Sequence, residues 1–306
     1  MIALLAPGQG SQTPGMLEPW LELPGAADQI STWSDIAGLD LARLGTTASA
    51  EEITDTAVTQ PLVVAATLLA NAELTKRGTL AGRKTVVAGH SVGEIAAYAI
   101  AGVISPDDAV KLAAVRGAEM AKACAIEPTG MSAVLGGDEA EVLEALARLD
   151  LIPANRNAAG QIVAAGAVAA LEKLAEDPPA KARVRQLATA GAFHTHYMAS
   201  ALDGYSAAAA EVAAAEPTTT LLSNSDGQPV TSAADAMEKL VAQLTRPVRW
   251  DLCTATMRQL FENAEGGAIV EFPPAGTLAG IAKRELRGIA TRAVKTPADL
   301  DGLAEL

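Results

Sequence analysis

One serine in this chain lies where the surrounding sequence could make it a nucleophile. A short apolar stretch leads into the motif GHSVG at residues 89–93, and a helical apolar pattern follows directly. This order predicts a strand, a tight turn and a helix, with Ser91 at the tip of the turn. The flanking glycines permit such a strained turn, and the helix N-terminus favours the negative charge that develops during attack. The alternative is a glycine-rich turn that the serine merely caps.

The histidines of the chain lie in two motifs that could supply a base for this serine. His90 precedes Ser91, and His194 and His196 follow far downstream. Imidazole transfers protons near neutral pH, and a serine turn with a later histidine is the chain order of α/β-hydrolase-like enzymes. No Asp or Glu stands out as the third member of a triad. His194 and His196 could also bind a metal, but no further ligand set has the usual spacing, so we expect none.

A glycine-rich loop follows the first apolar stretch. Residues 2–6 predict a buried strand, and PGQGSQ at residues 7–12 predicts a loop. Thr13 replaces the third glycine of a dinucleotide-binding motif, and no Gly-Lys-Ser/Thr follows, so nucleotide binding is not indicated. We expect the loop to present backbone N–H groups beside the serine. A plain strand-exit turn is the alternative.

Arg116 lies within a helix that the pattern predicts from Pro106 to about Ala123. Small or apolar residues surround it in sequence, which indicates a partly buried guanidinium. A buried cation needs an anionic partner, because an unpaired buried charge is unfavourable. The alternative is a solvated arginine on an amphipathic helix.

Composition limits the classes of function. The 306 residues are 50% hydrophobic and 19% charged, which is typical of a globular protein. The net charge of −13 and the 3% aromatic content argue against a nucleic-acid partner. The two cysteines are expected to be reduced thiols, and no signal peptide and no uninterrupted apolar stretch of membrane-spanning length is recognised. We therefore expect a cytoplasmic protein that does not bind membranes.

Alternating strand and helix patterns predict an α/β fold with a small insertion. An apolar helix is expected to start at Pro61. Residues 131–187 show the order β-α-β-β-α-β, which is the pattern of a ferredoxin-like unit. The remaining chain predicts a larger α/β domain around a parallel sheet.

Several spaced motifs together resemble one family, the malonyl-CoA:acyl carrier protein transacylases, which are acyltransferases of fatty acid and polyketide synthesis. The motifs are PGQGSQ (7–12), TQP (59–61), GHSVGE (89–94), RG (116–117), ANRN (154–157), QIV (161–163), AFHT (192–195) and PVRW (247–250). The resemblance implies a hydrolase-like large domain of residues 1–127 and 192–306 and a ferredoxin-like domain of residues 128–191. It also implies malonyl transfer from malonyl-CoA to an acyl carrier protein through a malonyl-serine, without a cofactor, by a monomer.

The resemblance assigns roles to individual residues. Ser91 is the implied nucleophile and His194 its base, while the backbone N–H groups of Gln9 and Val92 are the implied oxyanion hole. The main-chain carbonyl of Gln243 is implied to orient the histidine in place of a triad acid.

The resemblance also implies which residues contact the substrate. Arg116 would bind the free carboxylate of the malonyl group, and Gln60, Met120 and Asn157 would line the pocket. Phe193 would disfavour a methyl-branched acyl group, although it could be a core residue instead.

Two basic clusters are candidates for docking an acidic carrier protein, unless they are ordinary solvated charges; they are Lys181, Arg183 and Arg185, and Lys283, Arg284 and Arg287. Ala275 stands where related proteins carry a glycine, which predicts a local difference in that loop. A serine thioesterase or esterase and a non-enzymatic binding scaffold are the rival classes.

Overall fold

The computed structural model describes residues 1–264 and 266–305, and its strands form two sheets. The strands are β1 (Ile2–Ala6), β2 (Thr85–Gly89), β3 (Thr129–Gly136), β4 (Ile152–Ala158), β5 (Gln161–Ala167), β6 (Ala182–Gln186), β7 (Thr220–Leu222), β8 (Ala268–Glu271) and β9 (Ala290–Ala293).

Helices cover both sheets. The α-helices are α1 (Glu18–Leu21), α2 (Ala26–Ala37), α3 (Leu41–Thr46), α4 (Thr56–Arg77), α5 (Gly93–Ile100), α6 (Pro106–Cys124), α7 (Glu139–Arg148), α8 (Val168–Glu176), α9 (Leu202–Ala210), α10 (Ala233–Ala242), α11 (Trp250–Glu262) and α12 (Thr277–Glu285). Short 3₁₀ helices are Glu52–Thr54, His196–Ala201, Gln243–Thr245 and Pro297–Leu303.

The larger sheet is parallel and has the order β7-β2-β1-β8-β9 within the described residues. Its strands β1 and β8 are buried and, apart from Glu271, apolar, as expected when helices cover both faces. The last residues of β1 and β2, Ala6 and Gly89, are register partners. The glycine-rich loop and the serine turn therefore leave the sheet side by side. The short edge strand β9 was not predicted, because its sequence ATRA has no distinct strand pattern.

The smaller sheet is antiparallel and has the order β4-β5-β3-β6 in the part of the chain that is described. This is the strand order of a ferredoxin-like unit, as the sequence predicts. One face packs against α7 and α8 through a separate apolar cluster, which includes Val134, Ile162 and Leu174. The other face is turned toward the larger sheet. The predicted fold class, a parallel α/β core with a separate antiparallel unit, is confirmed.

Helix α4 starts earlier than the sequence prediction, which placed its first turn at Pro61. The Asp55 side chain caps the helix by accepting a hydrogen bond from the Ala57 N–H at 2.8 Å. Pro61 therefore lies inside the helix, where its missing N–H removes one backbone hydrogen bond. Gly117 of α6 packs so closely here that a Cβ would lie 2.7 Å from the backbone of α4. The capping aspartate was the signal that the prediction overlooked.

Helix α4 is also the one described helix that is long and apolar enough to cross a membrane by length and composition alone. Of its most apolar 18-residue window, 72% is buried inside the fold. The core helices of globular proteins meet the same criterion.

Candidate active site

The turn between β2 and α5 carries Ser91 in the left-handed backbone region, with φ of 54°. Its two glycines are required by close backbone contacts. A Cβ on Gly89 would lie 2.1 Å from the carbonyl oxygen of Gly93, and one on Gly93 would lie 2.3 Å from that of Ala6. Neither clash could be relieved by turning a side chain. The sequence therefore folds into the sharp turn that exposes a serine hydroxyl.

Ser91 and His194 form a hydrogen-bonded pair. Ser91 Oγ lies 2.7 Å from His194 Nε2, and His194 Nδ1 lies 2.8 Å from the main-chain oxygen of Gln243. Because a carbonyl only accepts, Nδ1 carries the ring hydrogen and Nε2 accepts from the serine. Burial, and secondly the charge of Arg116, lower the pKa of His194 to about 3. The ring is therefore neutral near pH 7 and can accept the proton of Ser91.

The glycine-rich loop lies against the serine turn. A Cβ on Gly8 would come within 2.6 Å of the main-chain oxygen of His90. Among the described residues, the backbone N–H groups of Gln9 and Val92 donate no hydrogen bond to a protein acceptor. Both are therefore available for an oxyanion at this end of the parallel sheet.

Arg116 is 1% exposed, yet its direct partners are uncharged. Its Nη1 donates to Gln60 Oε1 at 2.7 Å and its Nη2 donates to Gln243 Oε1 at 2.8 Å. Its Nε has no hydrogen-bond partner within the described chain. Burial lowers the pKa of Arg116 to about 10, so the group is still a cation at neutral pH. A buried cation with neutral partners is suited to receive an anion.

A cleft of about 480 Å³ joins these groups, and it lies between the two sheets. Ser91, His194 and Arg116 line it together with residues of the antiparallel sheet. Gln9 and Phe193 also line it, and Phe193 is 6% exposed.

The remaining predicted pocket residues lie in the same cleft. Met120 accepts a hydrogen bond from Gln60 Nε2, with 3.4 Å between nitrogen and sulfur. Asn157 Oδ1 lies 2.8 Å from His90 Nε2, and the His90 ring packs edge-on against Trp250. His90 thus has structural partners of its own.

Two residues that the sequence reasoning did not assign lie directly behind the site. Asn224 Oδ1 accepts the Ser91 N–H at 2.8 Å, and Asn224 Nδ2 donates to the main-chain oxygen of Gly89 at 2.6 Å. Glu94 accepts from the Asn224 N–H at 2.6 Å and from the Gln243 side-chain amide. Two sequence features could have indicated them. Glu94 is a single charged residue at the start of an apolar helix, and Asn224 is a polar residue just after a parallel strand.

His196 lies outside this cluster. Its ring is exposed and packs against Tyr197, with 4.2 Å between the ring centroids. Within residues 1–264 and 266–305, no group of three His, Cys, Asp or Glu side chains is placed to hold a metal ion.

The family model of the acyl transferase domain matches residues 4–298. The chain belongs to the acyl transferase domain family. This finding confirms the acyltransferase resemblance that the motifs indicated.

Similar proteins agree with this family. A malonyl CoA-acyl carrier protein transacylase of Mycolicibacterium smegmatis is 81% identical over 291 residues, which are 95% of this chain and 100% of that protein. The crystal structure of MCAT from Mycobacterium tuberculosis has a TM-score of 0.96 and 77% identity over 99% of each chain. A solved malonyl-transacylase in complex with its type II PKS acyl-carrier protein has a TM-score of 0.90 and 30% identity, again over 99% of each chain.

Proposed function

We propose that the protein transfers a malonyl group from malonyl-CoA to the phosphopantetheine thiol of an acyl carrier protein. The observation that carries the proposal is the buried guanidinium of Arg116 in the same cleft as the Ser91–His194 pair. A serine hydrolase of simple esters needs the pair but has no use for a buried cation. The names of the similar transacylases support the same substrate and acceptor.

Acylation of Ser91 is the proposed first half-reaction. His194 Nε2 takes the hydroxyl proton while Oγ attacks the thioester carbonyl, and the N–H groups of Gln9 and Val92 bind the resulting oxyanion. The carbon–sulfur bond then breaks, and the CoA sulfur leaves as the thiol with the proton from His194. The products are malonyl-Ser91 and free CoA.

The second half-reaction returns the enzyme to its starting state. The thiol of the carrier protein loses its proton to His194 and attacks the malonyl-Ser91 carbonyl. Collapse of the second oxyanion breaks the ester bond, and His194 returns the proton to Ser91 Oγ. The reaction is a ping-pong transfer that needs no cofactor.

Carboxylate recognition is assigned to Arg116, and pocket shape to its neighbours. A guanidinium matches a carboxylate through two parallel hydrogen bonds, which an ammonium group cannot make. Gln60 accepts a hydrogen bond from Arg116 and so holds the orientation of the guanidinium. Met120 and Asn157 line the part of the cleft that would hold the acyl group. An acetyl group lacks the second carboxylate and would leave the cation unpaired.

The carrier protein is proposed to dock at the mouth of the cleft. Arg183 and Arg185 of β6 pair with Leu135 and Ala133 of β3. Their side chains therefore project from the same sheet face as Ala133, which lines the cleft. Arg284 of α12 donates from Nη2 at 2.6 Å to Oε1 of Gln161, which lines the cleft, and its Nε pairs with Glu285 at 3.1 Å. These cations would attract an acidic partner locally despite the net charge of the chain.

We further propose residues 1–127 and 192–306 as the large domain and residues 128–191 as the small one, with the cleft between them. The protein is proposed to act as a monomer in the cytoplasm, without a nucleic-acid or membrane partner. The net charge of −13 supports the exclusion of nucleic acid.

Intact-mass spectrometry after mixing with malonyl-CoA tests the proposal. We expect the mass of one malonyl group on the protein, its absence in Ser91→Ala, and its loss when a holo carrier protein is added. Release of free malonate at the same rate with and without carrier protein would indicate a hydrolase instead. A protein that never gains mass would be a binding scaffold.

A further inference from the structure

A buried carboxylate lies behind the reacting side chains. Glu94 is 1% exposed and is the charged residue of the otherwise apolar helix α5. The Asn224 N–H donates to its Oε1 at 2.6 Å, and the Gln243 side-chain amide donates to its Oε2. Glu94 does not line the cleft, so any effect on the reaction passes through these partners.

The side chain of Gln243 links Glu94 to Arg116. Its Oε1 accepts from Arg116 Nη2 at 2.8 Å, while its Nε2 donates to Glu94. A guanidinium has only donors and an ionised carboxylate only acceptors, so the amide fits between them in one orientation. Glu94 is thus the counter-charge of Arg116, held one amide group away from it.

The same two partners hold the nucleophile and the base. The main-chain oxygen of Gln243 accepts from His194 Nδ1 at 2.8 Å. Asn224 Oδ1 accepts from the Ser91 N–H, also at 2.8 Å. One carboxylate therefore lies at the centre of the network that positions the base, the serine turn and the carboxylate-binding cation.

We propose that ionised Glu94 is a positioning residue for acyl transfer, which orients His194 and Arg116 through Gln243 and holds the Ser91 turn through Asn224. This inference rests on the proposed function, because positioning matters only if Ser91 is acylated. Its role differs from that of a triad acid, because Glu94 makes no contact with the histidine ring.

Titration of Glu94 gives the proposal a second observable. Burial, opposed by hydrogen bonds from Asn224 and Gln243, raises the pKa of Glu94 to about 7. A protonated Glu94 loses acceptor capacity, so the rate of acylation should fall as the pH drops through this region. His194, with its pKa lowered to about 3, remains neutral there and does not account for such a fall.

The groups that face Glu94 do not titrate in the same range. They are Arg116 of α6, Tyr205 of α9, Tyr98 of its own helix and Cys253 of α11. Burial raises the pKa of both tyrosines and of the cysteine, so all three are uncharged below pH 9. Arg116 keeps its charge, with a pKa of about 10.

A double-mutant cycle tests the route through Gln243. Gln243→Ala removes the side chain and keeps the main-chain carbonyl that orients His194. We expect Glu94→Gln and Gln243→Ala each to slow single-turnover malonylation by about tenfold to a hundredfold, the range for a lost charged hydrogen bond. The double variant should be about as slow as the slower single variant, because both break one chain of contacts.

Glu271→Gln is the matched control, since Glu271 is also a buried carboxylate. It accepts the N–H groups of Gly276, Leu278 and Ala279 at 2.8–2.9 Å, and contacts none of the reacting groups. The Glu271→Gln variant should be less thermally stable than the wild type. Any factor by which it slows malonylation should combine multiplicatively with the factor for Gln243→Ala, as expected for independent sites. Two results would overturn the proposal. One is a double variant whose loss of malonylation rate equals the product of the losses in Glu94→Gln and Gln243→Ala, and the other is a wild-type rate in Glu94→Gln.

The pH profile keeps the test decisive if Glu94→Gln fails to fold. Wild-type malonylation should show an acidic limb near pH 7, and Gln243→Ala should weaken or shift it, because only the route through Asn224 remains. A limb that persists unchanged in Gln243→Ala would refute the route through this side chain. A wild-type protein that gains no malonyl mass at any pH would refute the proposed function instead, so the two failures are distinguishable.

Discussion

Arg116 and His194 show how single residues of this site depend on burial. The guanidinium is enclosed with two neutral amide oxygens as partners, and the imidazole is held by a main-chain carbonyl. Burial lowers the pKa of both groups, which keeps the base neutral while the arginine stays charged. At the same pH the site therefore holds a neutral base and a cation whose direct hydrogen-bond partners are uncharged, which suits a dicarboxylic thioester.

Phe193 is expected to limit the acyl group to unbranched malonyl. Its ring lines the cleft one residue before His194, where a methyl branch would need space. Phe193→Ser should raise the ratio of methylmalonyl-CoA to malonyl-CoA kcat/KM by about tenfold or more, the usual effect of one methyl group. Competition between the two thioesters measures this ratio.

Phe261→Ser is the control for that change, because Phe261 is equally buried and lies in a different apolar cluster. It should reduce thermal stability without altering the ratio. A ratio that shifts equally in both variants would show Phe193 to be an ordinary core residue.

Residue types and motifs led to Ser91, His194 and Arg116, because each is a chemically distinctive group in a distinctive local pattern. The structure places all three in one cleft, as the resemblance implied. Glu94 and Asn224 escaped prediction because their importance depends on contacts across 130 residues of sequence. Local patterns carry no information on such contacts.

At the scale of elements, the parallel register of β1 and β2 creates the site. Ala6 and Gly89 end their strands together, and the loop and the turn that follow contact each other. The strand–turn–helix order was predictable from the apolar pattern and the glycines. The start of α4 was predicted wrongly, because Pro61 outweighed the cap at Asp55. A proline is a strong helix-start signal only in the first turn.

Gly89→Ala should break the serine turn. Its Cβ would lie 2.1 Å from the carbonyl oxygen of Gly93, and a backbone atom cannot move aside without shifting the turn. We expect a loss of about 1–3 kcal/mol in the free energy of unfolding, or more, and little acylation of Ser91. Urea denaturation and intact mass measure the two effects.

Gly280→Ala in α12 is the matched control. A Cβ there has no described neighbour within 4 Å, and alanine favours a helix interior. It should raise the free energy of unfolding by about 0.5–1 kcal/mol and leave acylation unchanged. Equal behaviour of the two alanine variants would contradict the steric account of the turn.

At the scale of the molecule, the two sheets form the walls of one cleft. The parallel sheet supplies the serine turn and the glycine-rich loop, and the antiparallel sheet supplies a wall and a basic rim. The β-α-β-β-α-β order revealed the second unit in the sequence, because strand-like and helix-like stretches follow one another there in that order. Which face of each sheet lines the cleft was not predictable, because this depends on packing between segments that are distant in the sequence.

Charge reversal at the rim tests the docking surface. Arg183→Glu with Arg185→Glu should raise KM for the carrier protein severalfold and weaken its dependence on salt, because local charge steers association. Lys173→Glu is the control, since α8 packs on the opposite face of the same sheet. An unchanged KM in the double variant would contradict docking at Arg183 and Arg185. Lys283 and Arg287 would then be the next residues to reverse in charge.

Malonyl and acetyl transfer in Arg116→Ala test directly whether Arg116 recognises the malonyl carboxylate. Single-turnover acylation of Ser91 by malonyl-CoA should fall by about a hundredfold or more, because truncation of a buried charged partner costs several kcal/mol. Acylation by acetyl-CoA should be unchanged or faster, and Arg116→Lys should be intermediate for malonyl-CoA. An equal loss for both thioesters would contradict recognition of the malonyl carboxylate by Arg116.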